Sequence, residues 1–350
     1  MTEGVSVNWE SCGIYIHVPF CLRKCSYCDF VSYPLSKKDV NLYSKALCRE
    51  INLHGSFNER PFSSLYVGGG TPSCLTVLQL SKIMEKVMGT FNFVPGAEFT
   101  IEANPGTVDI KKLSALRKFG FNRISIGIQS FNDEILGVLG RKHSAREAIQ
   151  AVKDSREAGF ENISIDLIYG VPGLSLLKWR ETLELAVDLV TEHISAYCLQ
   201  LEPGTPLYER VRSGAIQACP EELELEMYLE TIKTLESSGY THYEISNFAR
   251  RSFEGKHNLI YWHNGAYLGL GPAAHSYWGG YRIGNEIGLG EYERKIEDGV
   301  KPIMSKEKID EKMSMGETMF LGLRKTEGVN TKDFMERFGK SIDSVYGDII

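Results

Sequence analysis

A regular alternation of apolar and amphipathic segments runs through roughly the first 200 residues and constrains the fold more than any other feature. The apolar segments are rich in Ile, Val and Tyr, which suits strands that are buried on both faces. We predict these strands at residues 13–19, 64–70, 99–105, 123–130, 163–170 and 193–202. The segments between them carry apolar residues three and four positions apart, which predicts helices at residues 39–55, 75–90, 109–120, 144–159 and 176–190.

Repeated strand–helix units of this kind predict an α/β fold built on a parallel sheet with right-handed crossovers. Periodicity leaves open whether the sheet curls into a barrel. In both architectures, ligands bind at the carboxyl ends of the strands. The residues that directly follow each strand are therefore the candidates for a functional site.

The chain changes character after residue 250. Residues 253–290 are rich in Gly, Tyr, Trp and His and show little periodicity, and a helical pattern returns near residues 309–324. A single hydrophobic core stops growing at roughly 250 to 300 residues, so a chain of 350 residues should form two domains. We predict a core domain at residues 1–245 and a smaller, α-rich accessory domain at residues 246–350.

Composition and charge argue against several classes of protein. The net charge is −6, from 45 acidic and 39 basic residues that are mixed along the chain, so no basic block indicates a nucleic-acid partner. No apolar run approaches the roughly 18 residues that span a bilayer, and the first residues show no signal-peptide pattern. We expect a cytoplasmic protein that does not span a membrane.

Three of the eight cysteines lie close together, directly after the first predicted strand. Cys21, Cys25 and Cys28 have the spacing C-x3-C-x2-C, which is typical of a metal site in a reducing compartment rather than of a disulfide framework. Three thiolates on a [4Fe-4S] cluster leave one iron open. That iron can chelate the amino and carboxylate groups of S-adenosylmethionine, whose reductive cleavage gives a 5′-deoxyadenosyl radical.

A structural zinc site is the alternative for these cysteines, with Cys12 or His17 as its fourth ligand. Zinc loops usually pair their cysteines as C-x2-C, which makes this alternative less favoured. Tyr27 lies between the second and third cysteines and could form an aromatic floor for the adenine of S-adenosylmethionine, although a tyrosine in a loop often has no such role.

Polar residues mark the ends of the next strands. Residues 68–70 are three glycines that allow close approach of a ligand to the backbone, and Glu102, Gln129 and Asp166 interrupt otherwise apolar strands. Each polar residue also has a purely structural explanation. Glu102 could cap a helix, Gln129 could bond to the backbone, Asp166 could be a hydrogen-bonded core residue, and Arg141 could be a surface charge.

Seven segments occur in the same order as in a known family: YIHVPFCLRKCSYCDF, YVGGGTPS, IEANPG, RISIGIQSFND, LGRKH, IDLIYGVPG and HNLIYWHNGAYLGLGPAAHSY. With these segments the sequence resembles the coproporphyrinogen dehydrogenase (HemN) branch of the radical S-adenosylmethionine superfamily, and most closely the heme chaperones of that branch. The resemblance implies a partial, TIM-like (β/α)6 barrel with a C-terminal accessory domain.

The resemblance also implies roles for individual residues. The cluster would bind to Cys21, Cys25 and Cys28. Glu102 and Gln129 would hold the ribose hydroxyls of S-adenosylmethionine, and the Arg141 guanidinium would meet its carboxylate. The full set of residues implied or expected to contact S-adenosylmethionine is Tyr15, Tyr27, Gly69, Gly70, Thr71, Glu102, Gln129, Arg141, Asp166 and Gln200.

Two departures from the dehydrogenase pattern favour a heme chaperone. The dehydrogenases carry a fourth cysteine two residues after the third, where this chain has Phe30, and only 20 residues precede Cys21, which leaves no long N-terminal arm. The chain also ends within the C-terminal region of the family, so we expect that region to be incomplete. Oxygen-independent coproporphyrinogen III oxidation stays open as the enzymatic alternative, and a radical enzyme acting on RNA is less favoured.

The expected partners are heme and apo-haemoprotein acceptors, with membrane-bound respiratory enzymes among the candidates and a homodimer left open. We predict His257, in the segment HNLIYW, as the axial ligand of heme, because imidazole is a common ligand for heme iron. Tyr261 and Trp262 could lie flat against the porphyrin. His263 and His275 are alternative ligands nearby.

Overall fold

The computed structural model describes residues 8–55, 57 and 60–348. Residues 1–7, on which the expectation about a targeting segment partly rests, and the last two residues lie outside the described residues. Within the described ranges the strands are β1 Cys12–Val18, β2 Phe20–Cys21, β3 Tyr33–Pro34, β4 Phe62–Gly69, β5 Phe93–Ala103, β6 Arg123–Gln129, β7 Asn162–Tyr169, β8 His193–Cys198, β9 Thr241–Glu244, β10 Asn247–Ala249, β11 Ala266–Leu270, β12 His275–Trp278, β13 Tyr281–Asn285 and β14 Ile303–Lys308.

The helices cover the amphipathic segments and several shorter stretches between strands. They are α1 Lys37–Leu53, α2 Val77–Thr90, α3 Ile110–Lys118, α4 Asp133–Leu139, α5 Ala145–Glu157, α6 Leu176–Asp188, α7 Pro206–Arg212, α8 Glu221–Ser237, α9 Lys256–Trp262, α10 Leu289–Glu297, α11 Glu311–Gly322, α12 Thr331–Phe338 and α13 Ile342–Tyr346. No helix among the described residues is long and apolar enough to span a membrane.

The six predicted strands form the centre of one large sheet. They correspond to β1, β4, β5, β6, β7 and β8, which pair in that order, and every pair is parallel. The sheet stays open, because the outer edge of β8 pairs with β10 and that of β1 pairs with β11. The α/β fold with a partial six-stranded barrel is therefore confirmed.

Local sequence signals explain where the helices begin and end. The side chains of Thr76 and Ser144 accept hydrogen bonds from the first turns of α2 and α5, and Gln79 and Glu147 reciprocate in capping boxes. Gly120 follows α3 with a φ of +102°, a backbone conformation that glycine adopts without steric cost. These signals fix the lengths of the crossovers, so the carboxyl ends of the strands meet at one edge of the sheet.

The C-terminal part of the chain extends the same sheet. Strand β11 lies parallel to β1, and β12, β13 and β14 add antiparallel strands beyond it. The buried carboxylate of Glu50 in α1 accepts hydrogen bonds from the Gly271 N–H, the Asn285 amide and the Tyr292 hydroxyl, which ties these strands to the barrel. The predicted boundary at residue 245 falls between β9 and β10 within the sheet, so the division into two domains stays a prediction.

Candidate functional site

A cavity of about 570 Å³ opens at the carboxyl ends of the barrel strands. The cysteine loop after β1 forms one wall, and residues of β4 to β8 form the rest. Of the ten residues expected to contact S-adenosylmethionine, nine line this cavity: Tyr27, Gly69, Gly70, Thr71, Glu102, Gln129, Arg141, Asp166 and Gln200. The tenth, Tyr15, lies behind the wall.

Backbone hydrogen bonds dock the cysteine loop against the barrel. The Gly70 N–H donates to the Val18 carbonyl and the Thr71 N–H to the Phe20 carbonyl, each at 2.8 Å. On the other side, Ser26 donates its N–H to the Leu139 carbonyl at 3.0 Å. The close approach requires a glycine, because a Cβ on Gly70 would lie 2.7 Å from the Phe20 oxygen.

Cys21, Cys25 and Cys28 are free thiols that all face the cavity. Burial raises the pKa of Cys28 to about 11, and the neighbouring Cys25 and Cys21 raise it further against the opposing backbone N–H of Phe30 and the charge of Lys24. A bound metal reverses this preference, since a coordinating thiol is deprotonated. The loop can therefore present three thiolates once iron is bound.

The alternative zinc site lacks its fourth ligand. Cys12 is buried at the opposite end of β1, where its Sγ lies 3.5 Å from the Pro61 carbonyl. His17 uses both ring nitrogens, with the Tyr15 hydroxyl and the Val31 carbonyl each at 2.9 Å. Among the described residues no three His, Cys, Asp or Glu side chains surround a single ion. In a cluster, each of three thiolates binds a different iron.

Arg141 reaches the cavity beside the cysteines. Its Nη1 lies 3.3 Å from the Cys25 Sγ, and its Nη2 donates to the Gly127 carbonyl at 2.6 Å and to the Asn104 side chain. A Cβ on Gly127 would lie 2.8 Å from Asn104 Oδ1. Glycine at this position leaves room for the Asn104 amide that holds Arg141. The guanidinium is thus a fixed positive charge next to the cysteine loop.

Glu102 combines burial with two short hydrogen bonds. Its Oε1 accepts from the Tyr66 hydroxyl at 2.7 Å and its Oε2 from the Gly69 N–H at 3.0 Å. Burial raises the pKa of Glu102 to about 7, and nearby Asp166 adds to the rise while the two hydrogen bonds oppose it. Each carboxylate oxygen keeps a second lone pair, so Glu102 can also accept hydrogen bonds from a ligand diol.

Gln129 and Asp166 lie on neighbouring strands β6 and β7. A register shift between Gly127 and Gln129 gives Gln129 a φ of +70°, and its side chain points toward the cavity. Asp166 accepts a hydrogen bond from the Ser125 hydroxyl at 3.1 Å, and burial raises its pKa above the usual range. Both residues are available to a ligand that also contacts Glu102.

His257 and Tyr15 flank Tyr66 beneath the cavity instead of lining it. The Tyr66 ring stacks on His257 at 5.2 Å and lies 6.2 Å from Tyr15. His257 is 2% exposed, with Nδ1 2.8 Å from the Ser64 hydroxyl and Nε2 2.8 Å from the Tyr261 hydroxyl. Burial lowers the pKa of His257 to about 3, and Arg123 lowers it further. The imidazole is therefore neutral and fully hydrogen-bonded.

The two alternative histidines differ from His257 in exposure. His275 in β12 is exposed, whereas half-buried His263 lies 3.3 Å from the Lys325 Nζ. Sequence reasoning missed Tyr66, Asn104 and Arg123, which also line the cavity. All three residues belong to segments shared with the family, Tyr66 to YVGGGTPS, Asn104 to IEANPG and Arg123 to RISIGIQSFND, but nothing in the pattern of those segments indicates a role for them.

The fold and the cysteine-walled cavity define a radical S-adenosylmethionine protein. The model of the Radical SAM superfamily matches residues 15–186, and that of the HemN C-terminal domain matches residues 309–349. Membership of this superfamily implies a [4Fe-4S] cluster and S-adenosylmethionine as cofactors, and the three thiols, the neighbouring guanidinium and the buried carboxylates of the cavity fit both.

Two relatives identify a family within this superfamily. The chain is 38% identical to the heme chaperone HemW of Bacillus subtilis, covering 96% of this chain and 89% of that protein. It is 36% identical to HemW of Lactococcus lactis, covering 96% of this chain and 87% of that protein. The chain belongs to the HemW family.

A solved structure supports the fold. The coproporphyrinogen III oxidase HemN of Escherichia coli, a radical SAM enzyme, superposes with a TM-score of 0.85 at 24% identity, covering 97% of this chain and 81% of that one. At this identity the likeness shows a shared architecture and leaves the activity to be argued from the site.

Proposed function

We propose that this protein is a heme chaperone, which holds a [4Fe-4S] cluster and S-adenosylmethionine and delivers heme to apo-haemoproteins. The observation that carries the proposal is the 36% and 38% identity to heme chaperones over 96% of the chain. Phe30 supports it, because this exposed residue of the cavity rim occupies the position where the dehydrogenase pattern has a fourth cysteine.

The cofactor residues of this proposal are those of the cavity. Cys21, Cys25 and Cys28 hold the cluster, which when bound supplies the electron for cleavage of the sulfonium. Glu102 and Gln129 accept hydrogen bonds from the ribose hydroxyls. Arg141 places its positive charge beside the cysteine loop, where it attracts the ligand carboxylate.

For heme we propose His257 as the axial ligand, with Tyr261 and Trp262 against the porphyrin. Ligation requires that the hydrogen bond from His257 to Ser64 or to Tyr261 opens, because both ring nitrogens have partners. Exposed His275 needs no such rearrangement. Heme titrations of His257→Ala, His263→Ala and His275→Ala, followed by the Soret band, identify the ligand, which is the residue whose loss changes both affinity and spectrum.

Heme transfer tests the proposed function itself. The reconstituted protein is loaded with heme under anaerobic conditions and mixed with the apo form of a b-type cytochrome, and the spectrum of the acceptor is followed. We expect faster formation of the holo-cytochrome than from an equal amount of heme bound to albumin. A rate no greater than the albumin control, or failure to bind heme at all, would contradict the proposal. A cytoplasmic location and a homodimer stay predictions.

A further inference from the structure

Arg123 is a buried cation to which the described residues offer no hydrogen-bond acceptor. It begins β6, is 3% exposed, and contributes to the wall of the cavity. Its guanidinium makes no hydrogen bond and no ion pair with any side chain in the described part of the chain, and its Nε is buried unpaired. A buried guanidinium normally has acceptors for its five N–H donors, so this arrangement is costly without a ligand.

The nearest carboxylates already have other partners. Glu98 accepts hydrogen bonds from the backbone N–H groups of Lys256 and His257 at the start of α9, at 3.2 and 3.3 Å. Asp166 accepts from Ser125. Burial disfavours the charge on Arg123, but these acids and two tyrosines more than compensate, so its pKa is raised. The guanidinium stays charged, and its donors remain free for a ligand.

Arg123 lies far along the strand from the cysteine loop. The Gly127 carbonyl, which holds Arg141 beside Cys25, is four residues further along β6, or about 13 Å at the rise of a strand. The guanidinium of Arg123 lies toward the start of α9, where its Nη2 would be 3.9 Å from a Cβ on Gly255.

We propose that Arg123 forms a second anion subsite at the floor of the cavity, where it binds a carboxylate of a ligand that reaches past the cysteine loop. Asn258, which also lines this region, offers an amide donor to the same group. The planar fork of a guanidinium matches both oxygens of a carboxylate. The carboxylate is a propionate of heme, because the carboxylate of S-adenosylmethionine is already assigned to Arg141 beside the cysteine loop, and this choice rests on the proposed function.

The experiment compares each ligand with a form that lacks the carboxylate. Heme is paired with heme dimethyl ester, and S-adenosylmethionine with decarboxylated S-adenosylmethionine. Dissociation constants are measured for the cluster-loaded wild type, Arg123→Gln and Arg123→Lys. Arg146→Gln is the matched control, because Arg146 is an exposed arginine on α5. Iron content and circular dichroism verify that each variant is folded.

The wild type should bind the acid form of heme about tenfold or more tightly than the ester, as expected for a charged hydrogen-bonding group. Arg123→Gln should abolish this preference, Arg123→Lys should retain part of it, and Arg146→Gln should leave it unchanged. A merely structural role would weaken both forms equally and would overturn the proposal.

The preference for S-adenosylmethionine over its decarboxylated form should survive in Arg123→Gln, because Arg141 is expected to hold that carboxylate. Loss of this second preference as well would show a general disturbance of the cavity and would overturn the proposal. No preference of the wild type for heme over its dimethyl ester, or a heme preference that survives in Arg123→Gln, would refute the subsite. Failure of the wild type to bind heme in either form would overturn the proposed function and the subsite that rests on it, whereas heme binding without the acid preference would overturn the subsite alone. If Arg123→Gln does not fold, the reduced preference expected of Arg123→Lys decides the result.

Discussion

Replacement of Glu102 by glutamine should remove the pH dependence of S-adenosylmethionine binding. Burial raises the pKa of Glu102 to about 7, so its carboxylate form appears only as the pH rises through neutrality. The carboxylate accepts hydrogen bonds from a ribose diol, and the protonated acid is a poorer acceptor. Affinity in the wild type should therefore increase with pH.

The size of this pH effect on affinity follows from the fraction of Glu102 that is ionised. One pH unit below the pKa only about a tenth of the molecules carry the carboxylate, so the apparent affinity near pH 6 should be about tenfold weaker than near pH 8. In Glu102→Gln the affinity should be flat. It should also be about tenfold below wild type near pH 8, because a hydrogen bond to a charged acceptor contributes roughly 1.5 to 3 kcal/mol.

Anaerobic calorimetry across this range, with the cluster spectrum recorded at each pH, makes the measurement. Glu50→Gln is the control, because burial also raises the pKa of Glu50 to about 7 although Glu50 lies outside the cavity. The control should keep the wild-type pH dependence. Undiminished pH dependence in Glu102→Gln, or a flat profile in the wild type, would show that Glu102 does not contact the ligand as proposed.

Three further predictions concern the site. Alanine at Cys21, Cys25 or Cys28 should abolish the four-iron cluster, whereas alanine at Cys48 or Cys74 should not. Iron content and the visible spectrum measure the cluster, and a cluster retained in any of the first three variants would contradict the assignment. Asp166→Ala should weaken S-adenosylmethionine binding about tenfold with iron content unchanged, and an unchanged dissociation constant would make Asp166 structural. Gly70→Ala should destabilise the fold by about 1 to 3 kcal/mol and lower cluster occupancy, because its Cβ would clash with the Phe20 backbone. Gly89→Ala is the control, since a Cβ there has no atom within 4 Å. Equal thermal unfolding temperatures of the two variants would refute this prediction.

The sequence predicted the barrel because each of its strands is buried on both faces and therefore reads as a continuous apolar run. The C-terminal extension escaped this reasoning. Strands β11, β12 and β13 are four or five residues long, too short for a periodicity to stand out, and glycine turns separate them. The pairing of β11 with β1 joins residues more than 250 positions apart, which no local pattern encodes.

Motifs made the cysteines and Glu102 predictable, whereas roles that depend on long-range contacts could not be predicted. Cys21 and Glu102 belong to recognisable segments that end at a strand terminus. Tyr66 and Arg123 also lie in such segments, but their roles depend on the fold, which brings the Tyr66 hydroxyl to Glu102 and Arg123 into the wall of the cavity. The same applies to His257, whose partners Ser64 and Tyr66 only the folded structure brings to it.

We propose that this radical S-adenosylmethionine fold carries heme rather than oxidising a porphyrinogen. One anaerobic sample of the cluster-loaded protein, with S-adenosylmethionine and a reductant, is divided between a heme titration and an incubation with coproporphyrinogen III. We expect saturable heme binding with a Soret band and no protoporphyrinogen by chromatography. Conversion of coproporphyrinogen III in repeated turnovers, with no saturable heme binding, would contradict it.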